Sequence, residues 1–196
     1  MQRLTRHLLL PFLLLLLALA LTACGGTEEQ TPDVPDVTDP SATGESDPTE
    51  YAAILEGDPA QDFTIQLTDG TDFTLSDHLG QVVLLNFWAT WCTYCVMEMP
   101  AFDMLQEAYG DDLAILAVNC DVEAETALDF LEENDYGFPI ALDTDQTVSS
   151  LYPTDALPYT LVIDREGHVI HTVLGGGEPE EVFARFQGLI DPLLAE

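Results

Sequence analysis

Two cysteines three residues apart, Cys92 and Cys95, form the pair in this sequence whose spacing most directly indicates chemistry. They stand in "NFWATWCTYCVMEMP", after an apolar run and before residues with helical spacing. This placement predicts that Cys92 begins a helix, where free N–H groups and the helix dipole favour a thiolate over a thiol. Cys95 follows one turn later on the same face. The pattern therefore predicts reversible thiol–disulfide exchange, in which one thiolate attacks a substrate disulfide and the second thiol resolves the mixed disulfide.

Other kinds of CxxC site fit the surrounding residues less well. A structural disulfide with this spacing closes a very small loop and removes little entropy from the unfolded chain. A metal site needs more ligands, and the sequence has neither a second CxxC nor a spaced His pair, although two thiolates alone suit Cu(I). Haem attachment needs His where Val96 stands. A peroxiredoxin uses one peroxidatic cysteine in a different local pattern. Exchange is favoured, and Cu(I) binding stays open.

The elements that must position the pair can be predicted from apolar patterns. The continuous apolar run 82–88 is typical of a strand buried on both faces. Alternating residues on either side of Asp69-Gly70 predict a β-hairpin. Further strands are expected at 113–118, 140–142, 159–163 and 169–174, and helices after Cys92, at 125–134, near 146–151 and at 178–194. Strands that alternate with helices predict an α/β fold, with a mixed central β-sheet and helices on both faces.

The N-terminal quarter of the chain predicts export. Residues 1–23 combine a basic start with an apolar run that is shorter than the ~20 residues of a spanning helix, as in a signal peptide. The run ends in Leu21-Thr22-Ala23-Cys24, which resembles a bacterial lipobox and implies that Cys24 receives lipid. The alternative is a plain signal peptide beside an unrelated cysteine. Residues 24–50 are rich in Thr, Pro, Asp, Glu and Ser and predict a disordered acidic tether, followed by a folded domain over 51–196.

Net charge excludes one class of partner. The chain has 36 Asp and Glu against four Lys and Arg, a formal net charge of −32, and only Arg165 and Arg185 are basic after residue 24. Nucleic acid is excluded as a natural partner, because phosphate binding needs basic side chains. Electrostatic adhesion to anionic lipid is disfavoured too, so membrane attachment would have to be covalent. Solubility in salty or acidic surroundings explains the charge better than a specific basic partner.

Four segments together resemble one known family. They are "VVLLNFWATWCTYCVMEMP", "FPIALDTDQTVSSLY", "ALPYTLVIDREGHVI" and "GGGEPEEV", in order over about residues 59–194. These segments are similar to the TlpA/ResA-like thiol-disulfide oxidoreductases of the thioredoxin superfamily, whose members are also AhpC/TSA-redoxin-like. The resemblance implies a thioredoxin-like fold with an added N-terminal β-hairpin and a central insertion.

The resemblance also assigns roles to residues. Cys92 falls on the attacking cysteine, Cys95 on the resolving cysteine, and Pro158 on the cis-proline beside the dithiol. Glu98 falls on the acid that tunes thiol protonation, although it could also be a solvated helix residue. The residues expected to contact substrate flank the pair and the proline: Trp91, Thr93, Tyr94, Leu157 and Tyr159. Tyr94 could instead only cover the disulfide.

The sequence thus predicts an extracytoplasmic lipoprotein enzyme that reduces disulfides in exported proteins. The redox-active disulfide is the only redox group expected, without a further cofactor, and an integral membrane thiol carrier is the expected electron donor. Val96 stands where relatives often carry a basic residue, so we expect only a modest fall in the pKa of Cys92 and a reducing potential. Substrates could come from cytochrome c maturation, protein repair or disulfide correction. The alternative is a non-catalytic lipoprotein of the same fold that binds Cu(I) or a protein partner.

The remaining polar and sulfur-containing residues have simpler expected roles. Cys120, at the end of a strand, is expected to be a small buried residue rather than a third redox thiol. Asp143 and Asp145 are expected to be turn and capping residues. The histidines of the domain are scattered and are not expected to do chemistry: His78, His168 and His171.

Overall fold

A strand of seven buried residues, Val82–Trp88, forms the centre of the structure, a computed structural model that describes residues 56–195. In chain order the strands and α-helices are β1 Thr64–Gln66, β2 Asp72–Thr74, β3 Val82–Trp88, α1 Thr93–Tyr109, β4 Leu113–Asn119, α2 Ala124–Glu133, β5 Ile140–Leu142, β6 Tyr159–Ile163, β7 Val169–Leu174 and α3 Pro179–Leu194. The predicted mixed α/β arrangement is confirmed.

The main sheet has five strands in the order β5-β4-β3-β6-β7. β3 pairs in parallel with β4, and β4 with β5, through connections that contain α1 and α2. β6 runs antiparallel to both β3 and β7. The C-terminal end of β3 and the N-terminal end of β6 therefore lie at the same end of the sheet, where Phe87 pairs with Tyr159.

The two faces of the sheet are covered differently. Val82, Leu84 and Trp88 of β3 share a core with residues of α1, α2 and α3. The alternate residues of β3 pack instead against the hairpin and against residues of two 3₁₀ segments, Leu75–His78 and Ser149–Leu151. Helices thus lie on both faces, as predicted, but they are of different kinds. All three α-helices cover one face, and the other face carries the hairpin and the two 3₁₀ segments.

The predicted hairpin is confirmed as β1 and β2, and it is fastened to the main sheet. Leu67 forms a β-bridge with Ala141, and the Thr68 N–H donates to the Ile140 carbonyl at 2.9 Å. The stacked rings of Phe63 and Phe73 place the hairpin against the core. The proposed signal peptide, lipid site, tether and domain start near residue 51 lie outside the described residues.

The segment expected to be a small helix near 146–151 is shorter in the structure. Only Ser149–Leu151 is helical, as a single 3₁₀ turn. The buried Asp143 carboxylate accepts hydrogen bonds from the N–H groups of Val148 at 3.0 Å and Ser149 at 2.7 Å, which confirms its capping role. Within residues 56–195, no helix has the length and apolar character needed to cross a bilayer.

Candidate active site

Cys92 and Cys95 are joined by a disulfide at the start of α1, with their Cα atoms 5.2 Å apart. Cys92 is the N-cap residue, and its Sγ accepts a hydrogen bond from the Cys95 N–H at 3.2 Å. Cys92 keeps 8% of its surface exposed, whereas Cys95 is fully buried. A donor at Cys92 Sγ stabilises a thiolate there once the bond is reduced. The geometry therefore makes Cys92 the sulfur that is both more accessible and better stabilised as an anion.

The loop before β6 lies at the same end of the sheet as the disulfide. The Leu157–Pro158 peptide bond is cis, as the sequence resemblance implied. Pro158 immediately precedes Tyr159, the partner of Phe87 in β3, and its carbonyl accepts from the Gly175 N–H at 2.9 Å. Strand pairing and this hydrogen bond hold the proline loop next to the segment that follows β7.

Large apolar side chains are exposed beside the disulfide. Trp91 is 72% exposed and Tyr94 60% exposed, and Thr93 between the cysteines is also exposed. Leu157 is half-buried, so part of it is accessible as well. The Tyr159 ring is not brought to the disulfide, because it is buried on the hairpin face and stacks on Phe87. Four of the five expected substrate contacts thus remain accessible, and the fifth is a core residue.

Glu98 is a buried carboxyl on the same face of α1 as Cys95. It is only 1% exposed, so it is not a solvated helix residue. The Asn86 Nδ2 group donates to Glu98 Oε1 at 3.0 Å. Burial raises the pKa of Glu98 to about 7, although the hydrogen bond from Asn86 and the charge of Arg185 both act to lower it. A carboxyl with such a pKa can take up and release a proton near neutral pH.

Polar residues inside apolar strands complete the surroundings of Glu98. Asn86 is fully buried in β3 and also donates to Thr160 Oγ1 of β6 at 2.9 Å. No site role was predicted from the sequence for Asn86 or Thr160, and Arg185 was noted only for its charge. The available signal was an amide in "VVLLNFW" and a hydroxyl in "YTLVI", since polar groups inside buried strands need a partner.

Cys120 is not bonded to either cysteine of the pair. It is a half-buried free thiol directly after β4, and its S–H donates weakly to the Val118 carbonyl. Burial, with the nearby charges of Asp143 and Asp121, raises the pKa of Cys120 to about 12. The thiol therefore stays protonated at neutral pH and is a poor nucleophile. In the described part of the chain, no group of three or more His, Cys, Asp and Glu residues is placed to hold a metal ion.

A family model and known proteins match this chain over the same region. The model of the AhpC/TSA family matches residues 56–172. The thioredoxin-like protein YneN of Bacillus subtilis is 38% identical over 117 residues, which are 58% of this chain and 68% of that protein. The thiol-disulfide oxidoreductase ResA of Geobacillus kaustophilus is 36% identical over 135 residues, 68% of this chain and 78% of that protein.

Solved structures show the same likeness. A Chlorobium tepidum protein provisionally named thiol:disulfide interchange protein DsbE has a TM-score of 0.66 and 32% identity, over 72% of this chain and 99% of its own. The pneumococcal exposed lipoprotein thioredoxin Etrx1 of Streptococcus pneumoniae has a TM-score of 0.58 and 27% identity, over 65% of this chain and 99% of its own. The thioredoxin-like fold and the exchange chemistry predicted from the sequence are confirmed.

Proposed function

We propose a function from one premise: this chain belongs to the AhpC/TSA family, as a ResA-like thiol-disulfide oxidoreductase of the thioredoxin superfamily. It reduces disulfide bonds in exported proteins, and a lipid anchor holds it outside the cytoplasm. The observation that carries the reducing step is the asymmetric Cys92–Cys95 pair, with one sulfur accessible and the other fully buried. The substrate class and the location are the parts that go beyond the comparisons.

The reaction follows from this asymmetry. In the reduced enzyme, the Cys92 thiolate attacks one sulfur of a substrate disulfide, and the second substrate sulfur leaves as a thiolate that takes a proton. The mixed disulfide between Cys92 and the substrate is then attacked by Cys95. This forms the Cys92–Cys95 bond and releases the substrate sulfur that was bonded to Cys92 as a thiolate. Two electrons pass to the substrate, and a membrane thiol carrier would supply two more to reduce the Cys92–Cys95 bond again.

Glu98 would take part in the second attack. Cys95 is buried and must lose a proton before it attacks, and Glu98 lies one turn further along the same helix face. An ionised Glu98 accepts that proton, since its pKa of about 7 is close to the working pH. Asn86 holds the carboxylate through its Nδ2 donor. The exposed Trp91 and Tyr94 would contact the substrate while this exchange proceeds.

We expect a reducing potential for the pair, near or below about −270 mV. The first turn of α1 has no basic residue, and the chain as a whole is strongly anionic, so the Cys92 thiolate gains little stabilisation from cations. Equilibration with dithiothreitol, read by alkylation and mass spectrometry, measures the potential. Cys120→Ser is the matched control and should give the same value.

A potential near about −120 mV would instead identify an oxidant and contradict the reducing direction. A pair that does not cycle between thiol and disulfide would contradict the reductase proposal itself. The alternative, a thioredoxin-like lipoprotein that binds Cu(I) or a protein partner, would then take its place.

Lipid attachment at Cys24 is supported by the Leu21-Thr22-Ala23-Cys24 sequence and by the likeness to the exposed lipoprotein thioredoxin of Streptococcus pneumoniae. We expect Cys24→Ser to move most of the protein out of the membrane fraction of an expressing bacterium, because the anionic domain has little affinity of its own for anionic lipid. Cell fractionation with immunoblotting tests this, with Cys120→Ser as control. Unchanged membrane retention of the Cys24→Ser protein would contradict lipidation as the anchor.

A further inference from the structure

Arg185 is one of two basic residues after residue 24, and α3 places it on the active-site side of the molecule. Its Nη2 donates to the Gly175 carbonyl at 3.1 Å, and its guanidinium carbon lies 5.3 Å from the centre of the Phe186 ring. Its Nε is buried and makes no hydrogen bond within the described part of the chain. The guanidinium is therefore held in place while one of its donors has no partner.

The segment that Arg185 holds runs directly against Glu98. A Cβ atom added at Gly176 would lie 2.8 Å from Glu98 Oε2 and 2.5 Å from the Tyr94 carbonyl oxygen. Only glycine permits this approach, because the nearer of the two atoms is helix backbone that cannot move cheaply. Gly175 at the start of the same segment also donates to the Pro158 carbonyl. One short strip of backbone thus links the proline loop, the buried carboxyl and Arg185.

A cleft of about 210 Å³ borders this strip. It is lined by Gly176, Gly177, Glu181, Val182 and Arg185. Glu98 Oε1 accepts from the neutral Asn86 of β3, which also donates to the neutral Thr160 of β6, and the two cysteines that precede Glu98 on α1 are joined in a disulfide. The charged groups on the α3 side are Arg185 and, at the cleft, Glu181. Asn86 thus lies at Oε1 of Glu98 and Gly176 at Oε2, and Arg185 is the positive group bonded to the residue before Gly176.

We propose that Arg185 is a positioning residue for exchange, whose charge acts through the Gly175–Gly177 strip to favour the ionised form of Glu98 and so sets the pH above which Cys95 is activated. The inference rests on the proposed function. Within the described residues, Arg185 makes no hydrogen bond to either cysteine. No direct ion pair joins Arg185 to Glu98 in this described part of the chain. Its charge therefore acts on Glu98 at a longer distance. The direction agrees with the influence of Arg185 on the pKa of Glu98, which is to lower it.

The test is the protonation midpoint of Glu98 in the full chain. It can be followed by the infrared carbonyl band of protonated Glu98. This band should persist above pH 5 and should be absent from the Glu98→Gln protein. We expect Arg185→Gln to raise this midpoint by about 0.5–1 pH unit, since a nearby positive charge favours the ionised carboxyl. Arg185→Lys keeps the charge and should shift the midpoint by less than about half that amount. Cys95 resolves the mixed disulfide at a rate that a single-turnover experiment measures. The pH midpoint of this rate should shift by the same amount as the Glu98 midpoint.

Arg165→Gln is the matched control. Arg165 also donates to a glycine carbonyl, that of Gly80 at 2.9 Å, but it follows β6 at the end of the sheet away from the disulfide. Its loss should leave the Glu98 midpoint unchanged. If Arg185→Gln does not fold, Arg185→Met serves as the charge-free variant, because an unbranched side chain can still pack over Phe186.

Each outcome separates this inference from the proposed function. A folded charge-free variant with the wild-type Glu98 midpoint overturns the role of Arg185, even if the cysteine pair still cycles. An equal shift in Arg165→Gln also overturns it, because the effect would then reflect net charge alone. Failure of the wild-type pair to cycle would overturn the proposed function, whatever the titration of Glu98 shows.

Discussion

Cys92→Ser is expected to lower the rate of disulfide reduction at least about a thousandfold, because a serine hydroxyl stays protonated where the thiolate is the nucleophile. The fold should survive, since the side chain keeps its size and can still accept the Cys95 N–H at the N-cap position. The measurement is reduction of a disulfide-containing peptide by chemically reduced enzyme, with the thiols counted. Near-normal turnover by Cys92→Ser would contradict the assignment of the attacking sulfur.

Cys95→Ser is the informative companion to this variant. Cys92 can still attack, but the intramolecular resolving step is lost, and such steps gain greatly from proximity. We therefore expect multiple turnover to fall at least about 100-fold while an enzyme–peptide mixed disulfide accumulates, visible by mass spectrometry without reductant. If the adduct instead formed only in Cys92→Ser, the two roles would be reversed, against the burial difference between the two sulfurs.

Glu98→Gln is expected to stabilise the fold of the protein and to slow the resolving step of its reaction. The pKa of Glu98 rises from an ordinary 4.5 to about 7 on folding, so the native state binds a proton more tightly than the unfolded chain. Stability is therefore lost as pH rises from about 4.5 to 7, and the penalty is constant above that range. Glutamine carries no charge at any pH and can keep the hydrogen bond from Asn86. Urea unfolding should show a gain of about 3 kcal/mol at pH 8 that shrinks toward zero near pH 4.5.

The same substitution should slow the resolving step about 100-fold at pH 7, because a general base contributes at least this much. Glu107→Gln is the control on the same helix. Glu107 is exposed, so its change should alter stability by less than about 0.5 kcal/mol and leave the rate unchanged. A Glu98→Gln protein that is less stable at pH 8, or equally fast, would show that Glu98 is not a buried proton acceptor.

The features that determine the sheet were visible in the sequence. The run 82–88 became β3 with the expected bounds, and the alternation around Asp69-Gly70 became the hairpin, because apolar periodicity directly reflects burial. The placement of α2 was not visible in the same way. Its apolar side predicts that it packs on the sheet, but not on which face, and that choice depends on the hand of the crossover between β4 and β5.

Some residues of the candidate site could be predicted from the sequence and others could not. The cysteine pair and Pro158 could be found from local sequence, since spacing and order along the chain carry their signal. The contact between Gly176 and Glu98, and the position of Arg185, arise from segments about 80 residues away in the chain. No local pattern encodes such a distance. Tyr159 is a residue for which local sequence was misleading. Its place next to Pro158 suggested a substrate contact, but the alternation of side chains along β6 puts its ring in the core.

The protonated thiol of Cys120 has a consequence for survival in an oxidising environment. Irreversible damage to cysteine proceeds from the thiolate through sulfenic to sulfinic and sulfonic acids. A sulfenic acid formed on Cys92 would be captured by Cys95 as a disulfide, which the normal cycle reduces again. Cys120, with a pKa of about 12, offers almost no thiolate to peroxide. The cysteines of the domain should therefore withstand repeated oxidant exposure without accumulating as sulfonates.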